Sequence, residues 1–204
     1  MQSDAGAEKK RSRRTARAVR AAFLGSRSPA IRAGLEQALA RIVVPHLGPP
    51  AILGSYAAMG DETDPNSIER AALALGWRLA WPRVTGAAPL SFHLADFASL
   101  RPGFRDIPEP AATAPVVRPD VLLVPLLAAD LQGNRLGQGA GHYDRTLADL
   151  RSPVPGTGPI LAIGLAFDIQ IVPTLAADRW DQPLDAIATP TAFHPAGSGA
   201  KRSR

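Results

Sequence analysis

The sequence predicts an α/β fold, a three-layer α/β/α arrangement around a largely parallel sheet. Three observations carry this. The run Asp120–Leu127 (DVLLVPLL) is apolar and of strand length, as a strand buried on both faces requires. Shorter runs of the same kind alternate with helix-like segments along the chain. At 204 residues, 46% hydrophobic and 20% charged, the chain suits one domain with a sizeable core.

Taken in order, residues 8–24 read as a basic helix, because Ala and Arg dominate and neither Gly nor Pro interrupts. Ser28-Pro29 opens a second helix to about Ile42, with Pro in its favoured first turn. Its apolar positions Ile31, Leu35, Ala38, Leu39 and Ile42 recur at helical spacing and should cover a core. Pro45 to Pro50 breaks it, and Ala51–Ala58 follows as a short apolar strand. Asp64-Pro65-Asn66-Ser67 caps a helix over 66–75, which Gly76 ends. Trp77–Val84 alternates like a strand, with Trp77 and Trp81 as core residues. Residues 85–118 are rich in Pro and Gly, with a strand near Leu90–Leu94. After the buried strand come a glycine loop and a helix from His142 to Leu150, then strands over Pro159–Ala166 and Asp185–Thr189. The expected organisation is a disordered tail (1–8), one domain (9–193) and a disordered basic tail (194–204).

The net charge of +5 belongs to the ends. Residues 9–20 hold seven Lys/Arg and the last four residues three more, leaving 13 bases against 16 acids over 21–200. A slightly acidic body argues against nucleic acid as a partner. No apolar run reaches the roughly 18 residues of a membrane span, and Ala21–Leu24 is too short for a secretory core, so a soluble protein is expected. Without cysteine there is no thiolate nucleophile, disulfide or Cys-ligated metal, and the four histidines show no zinc-type spacing.

The chemistry concentrates in Asp130–Arg145, DLQGNRLGQGAGHYDR. Gly133 marks a turn; Gly137, Gly139 and Gly141 then alternate into a helix. Backbone free of Cβ atoms can turn several N–H groups toward one point, and such a nest at a helix N-terminus binds anions, phosphate above all. Arg135 can reach the same oxygens, and Asp144, one turn into the helix, suits Mg²⁺ beside them. A bare G-x-G-x-G is a weak signal that an ordinary mobile strand-to-helix turn also produces, and the spacing matches neither a Walker A loop nor a dinucleotide fingerprint; the specificity lies in Arg135, three glycines, Tyr143 and Asp144 within ten residues.

The segment R-L-G-x-G-x-G-x-Y-D-R, preceded by Val124-Pro125, Ala128, Asp130 and Gly133, resembles the signature of the 5-formyltetrahydrofolate cyclo-ligase family. The likeness extends to the basic first helix, Met59–Asp64, Pro82-Arg83-Val84, Ile107-Pro108-Glu109-Pro110 and Gly164–Asp168 with Gln170. It continues through Asp181, Pro183, Leu184 and Asp185. Leu126, Ala129, Asp106, Gln138, His142 and Trp180 depart from the pattern; none of them removes a phosphate or metal group.

The resemblance implies a Rossmann-like architecture related to phosphosugar isomerases and CoA-transferases. It also implies ATP- and Mg²⁺-dependent closure of 5-formyltetrahydrofolate to 5,10-methenyltetrahydrofolate through a phosphorylated formyl group, in a cytoplasmic monomer. Lys10 and Arg14, at i and i+4, would contact ATP together with Arg135, Leu136, Gly137, Gln138, Gly139, Ala140, Gly141, His142 and Tyr143. Ala57, Glu62 and the loop Gln138–His142 would contact the folate, Glu62 accepting from the pterin. Arg135 and Tyr143 would serve catalysis, and Asp144 and Asp181 would ligate Mg²⁺. Read without the resemblance, Lys10 and Arg14 fit a solvated basic face better than a phosphate site, Glu62 is as readily an exposed loop acid as a ligand, and Tyr143 either stacks on a ring or simply packs. The rival functions are a phosphosugar isomerase or CoA-transferase relative, and a non-catalytic RNA- or partner-binding protein using the basic ends.

Overall fold

The computed structural model describes the backbone of residues 2–197 and the side chains of residues 6–197. In chain order these form α1 (Gln2–Gly25), α2 (Pro29–Val43), β1 (Ile52–Gly54), α3 (Asn66–Ala74), β2 (Arg78–Arg83) and β3 (Ser91–Leu94). Next come β4 (Arg101–Pro102), β5 (Pro108–Glu109), β6 (Val116–Val117), β7 (Val121–Pro125), β8 (Ala128–Ala129) and β9 (Arg135–Leu136). The chain continues through α4 (His142–Leu150), β10 (Leu161–Leu165), β11 (Ala186–Ala188) and β12 (Phe193–Pro195).

Eight strands form one sheet in the order β12-β11-β10-β7-β1-β2-β3-β6. The five inner strands, β11 to β2, run parallel. The outer strands β12 on one side and β3 and β6 on the other run antiparallel to their neighbours. Alternation along β7 splits the interior into two cores. Val121 and Leu123 join Leu39 and Val43 of α2 and Ile68 and Ala72 of α3 on one face. Leu122 and Val124 join Leu147 and Leu150 of α4 on the other. The expected three layers are present, and Trp77 and Trp81 are buried core residues.

Helix α1 lies where the inner strands end. Phe23 meets Phe167, just past β10, at 5.5 Å between ring centroids. Arg20 donates through Nη1 to the carbonyl of Leu126, just past β7, at 3.1 Å. Among the described residues no helix is long and apolar enough to cross a membrane.

Several boundaries move. Helix α1 begins at Gln2, so residues 2–8 do not form the separate disordered tail expected there. Only Gly6 interrupts their run of helix-compatible residues. His194 and Pro195, assigned by composition to the carboxyl-terminal tail, pair antiparallel with β11, and Phe193 stacks on His46 at 3.8 Å. That order comes from a neighbouring strand, which local composition does not register. The rest of the expected tail, 198–204, lies outside the described residues. Ile31 is 53% exposed, because the buried seam of α2 narrows to Leu39, Ala40 and Val43. The strand expected over Ala51–Ala58 stops at Gly54, and Tyr56 and Ala57 turn away to line a cleft.

Beneath that exit, Glu69 of α3 is buried and accepts from Ser55 Oγ at 2.5 Å. Burial pushes its carboxyl up to about 7, against the Ser55 hydrogen bond and with help from Asp64. The folded chain therefore keeps a proton that the unfolded chain has released, and stability falls as pH rises from about 4.5 through about 7. Glu69→Gln should gain stability over wild type by on the order of 3 kcal/mol between about pH 4 and pH 8. Urea melts across that range check it; parallel profiles for the two proteins would contradict the assignment.

Candidate functional site

Parallel strands bring their carboxyl ends to one edge of a sheet, where α/β proteins bind ligands. Here Tyr56 and Ala57 beyond β1, Pro82 and Val84 around the end of β2, and Pro125 of β7 line a cleft of about 970 Å³. Helix α1, the β9–α4 loop and the turn between β4 and β5 supply its remaining walls.

The loop is aimed by a tight turn after β8. Asp130 is fully buried and accepts from the backbone N–H groups of Gln132, Asn134 and Leu175 at 3.1, 3.0 and 2.9 Å. Gly133 sits at φ +93°, and a Cβ there would lie 2.5 Å from the Leu184 carbonyl oxygen, so only glycine fits. The chain returns as β9 and delivers Arg135 to the cleft with its side chain 5% exposed. Arg135 donates through Nη2 to Asp144 Oδ1 at 2.6 Å and through Nη1 to the Gln182 carbonyl at 2.5 Å. Asp144 Oδ1 also accepts from Gln182 N at 3.2 Å.

Beyond Leu136, Gly139 and Gly141 take φ +107° and +68°, conformations that side-chain-bearing residues rarely adopt, whereas Gly137 has an ordinary φ. Gly141 precedes the first turn of α4 and presents the backbone to the cleft at that helix's positive end. Arg13 of α1 closes over the loop: its Nε donates to the Gly137 carbonyl at 3.1 Å, and a Cβ on Gly139 would meet its guanidinium at 3.3 Å.

The basic helix enters one residue out of the phase the sequence suggested. Lys9 and Arg13 line the cleft, whereas Lys10 and Arg14 are exposed and outside it. At 100° per residue a one-position shift moves a side chain off the contact face. Counting back from buried Leu24 through Arg20, Arg17, Arg13 and Lys9 finds the inner stripe, a signal present in the sequence. Lys9 Nζ bonds Asp178 and Asp181 at 2.6 and 2.7 Å. Burial draws its pKa down, but the two aspartates outweigh that and leave it above the ordinary value. Asp178 was missed in the sequence because nothing local distinguishes it from a surface acid.

Glu62 is 6% exposed and lines the cleft, so it is not a free loop acid. Its Oε2 accepts from Met59 N at 3.1 Å and its Oε1 from Gln138 Nε2 at 3.0 Å. Gln138 Oε1 in turn accepts from Arg17 Nη2 at 2.6 Å, joining three separate segments. Burial, with the Glu62 charge nearby, pushes the Tyr143 phenol up, so it stays neutral. His142 is held below its ordinary value by burial, then by Arg145 and Arg105, and is an uncharged ring at neutral pH. Leu136, Ala140 and Asp181 also line the cleft, so every expected site residue except Lys10 and Arg14 faces it. Among the described residues no three His, Asp or Glu side chains group as a metal site.

The model of the 5-formyltetrahydrofolate cyclo-ligase family matches residues 7–190. The chain belongs to this family. It is 46% identical over 77 residues to 5-formyltetrahydrofolate cyclo-ligase of Escherichia coli (strain K12), covering 38% of this chain and 40% of that protein. Its match to the Mycolicibacterium smegmatis protein of the same name is 31% identical over 146 residues, 67% of this chain and 72% of that one. The chain thus spans about two fifths of the first relative's length and over two thirds of the second's. The structure of Aquifex aeolicus 5,10-methenyltetrahydrofolate synthetase superposes with a TM-score of 0.72 at 25% identity, covering 96% of each chain. The mostly parallel cyclo-ligase sheet expected from the sequence is therefore the fold present.

Within the cyclo-ligase motif, Asp144 does more than face solvent, because it neutralises an almost buried guanidinium. Asp144→Asn should lower stability by about 2 kcal/mol through the lost charged hydrogen bond to Arg135. Thermal melts check this; an unchanged midpoint would mean that Arg135 does not depend on Asp144.

Proposed function

We propose that this protein closes 5-formyltetrahydrofolate to 5,10-methenyltetrahydrofolate at the expense of ATP, releasing ADP and phosphate, and that it acts as a cytoplasmic monomer. The observation that carries the reading is the convergence of three features on one cleft: the glycine turn opening α4, the Lys9/Arg13 stripe and buried Glu62. One chain supplies all of these walls, which supports a monomer as the working unit, with neither nucleic acid nor membrane as partner.

An amide oxygen is a poor leaving group, so it must first be phosphorylated. The formyl oxygen attacks the γ-phosphorus and the bond to ADP breaks. N10 then attacks the formyl carbon and loses its proton, and phosphate departs with the former formyl oxygen. Both nucleophiles belong to the substrate, so the protein aligns groups and neutralises charge. Backbone N–H groups of Gly139–Gly141 and the guanidinium of Arg13 face the phosphates. Arg135 holds Asp144 and the Gln182 backbone in place, a positioning role beside any direct contact. Glu62 accepts from the pterin N–H groups in place of Gln138. Neutral Tyr143 donates a hydrogen bond or packs against the ring, and does not act as a base.

The donor set suits Mg²⁺ carried by a nucleotide: Asp144 and Asp181 line the cleft, and each bonds protein groups through a single oxygen among the described residues. The second oxygen of each is free to ligate, and two carboxylates with phosphate and water are what this ion prefers. When bound, the ion would offset phosphate charge during transfer.

Mixing protein, ATP, Mg²⁺ and 5-formyltetrahydrofolate should raise the methenyl-folate absorbance, and ADP release without the folate should be slow. Equal ATPase rates with and without folate would refute the coupling. The phase of α1 gives a second expectation. Lys9→Ala and Arg13→Ala should each weaken ATP binding about tenfold or more, the scale of a charged hydrogen bond, while Lys10→Ala and Arg14→Ala stay within about twofold. ATP titrations of the four variants decide it, and the reverse ranking would restore the phase read from sequence.

A further inference from the structure

The α4 end of the glycine loop carries positive charge that the proposed phosphate chemistry does not use. Phe104 and Arg105, between β4 and β5, line the cleft together with Arg145 and His142 of α4. Arg105 and Asp106 sit at φ +54° and +62°, two successive non-glycine residues in the left-handed region. Such conformations are strained for residues that carry side chains and persist only where the surroundings impose them. Here the anchor is buried Glu109, which accepts from Phe104 N at 3.3 Å and Val84 N at 3.1 Å and pairs with Arg83 at 3.6 Å.

Arg145 Nη2 meets His142 Nδ1 at 3.1 Å, and its Nε is buried with no hydrogen-bond partner among the described residues. Neither Arg105 nor Arg145 forms an ion pair among the described residues, although Asp106 adjoins Arg105 in the chain. Two guanidiniums at one cleft wall without a counter-charge call for an anionic ligand. Beside them, the ring of Phe104 is 41% exposed and meets His142 edge-on at 6.1 Å.

We propose that Arg105 and Arg145 form a carboxylate subsite, with Phe104 as its aromatic platform, that holds the benzoylglutamate end of the folate. The inference rests on the folate reading of the cleft and extends it to the far end of the substrate. Planar guanidinium forks match carboxylates and phosphates alike in bidentate fashion, so the neighbouring ring decides between them. An exposed aromatic ring alongside them suits an aryl group joined to glutamate and has no counterpart in a triphosphate.

The test compares 5-formyltetrahydrofolate with 5-formyltetrahydropteroate, which lacks the glutamate. Arg105 is exposed and forms no ion pair among the described residues, so Arg105→Ala should fold, and circular dichroism verifies that. The wild type should prefer the tailed substrate in kcat/KM, and Arg105→Ala should reduce that preference about tenfold, with partial recovery in Arg105→Lys. A preference equal to wild type overturns the proposal, as does a rise of similar size in KM for ATP, which would give the subsite to phosphates. If the wild type forms no methenyl product, the reading of the activity fails separately. Calorimetric Kd values for the two folates then report on the tail subsite, and equal values reject it.

Discussion

Arg135 leaves the β8–β9 hairpin with its guanidinium almost buried, and its two terminal nitrogens join Asp144 of α4 to the carbonyl of Gln182. Those groups come from three stretches of chain that share no hydrogen-bonded strand ladder. A buried guanidinium left unpaired would be costly, so the ion pair and the carbonyl bond hold all three at fixed separation. The glycine loop hangs between Arg135 and Asp144. Its shape is therefore set at both ends by one cation.

The same economy shapes α1. Seven bases in one helical segment repel one another, and among the described residues one stripe of them finds compensation: Lys9 on two aspartates, Arg13 on a loop carbonyl, Arg17 on Gln138 and Arg20 on the Leu126 carbonyl. The helix is docked by charge-to-oxygen bonds as much as by the packing of Ala16 and Phe23. That makes its seat polar. Gln138, which bonds Glu62 and Arg17 together, spans the opening between helix and loop, and on the proposed folate reading it would release Glu62 to the incoming ring.

Electrostatically the cleft is divided. Around the start of the glycine loop, bases and acids alternate, Lys9 with Asp178 and Asp181 and Arg135 with Asp144. At its end, two arginines stand without ion pairs among the described residues, and burial together with their charge holds His142 below its ordinary value. Tyr143 is likewise held neutral by burial, so neither ring supplies a base. Chemistry in such a site rests on alignment, which agrees with a reaction whose nucleophiles the substrate brings.

Much of this was legible in the sequence because it is local. The run Asp120–Leu127 declared a buried strand, Gly133, Gly139 and Gly141 declared positive φ, and the motif from Arg135 to Arg145 named the loop and its family. Ser28-Pro29 and Gly76 marked helix ends for the same reason, since each acts through its own backbone. What the sequence did not determine depends on partners distant along the chain. Lys9 and Arg13, not Lys10 and Arg14, face the cleft because Leu24 and Arg20 fix the rotation of α1 against the sheet. Asp178 matters only through Lys9, 169 positions away. His194 is ordered only because β11 offers it an edge, and Arg105 reaches the cleft only because Glu109 anchors a strained turn. Propensity and glycine geometry are properties of a few neighbouring residues; helix phase, charge pairing and edge pairing exist only once the chain has folded.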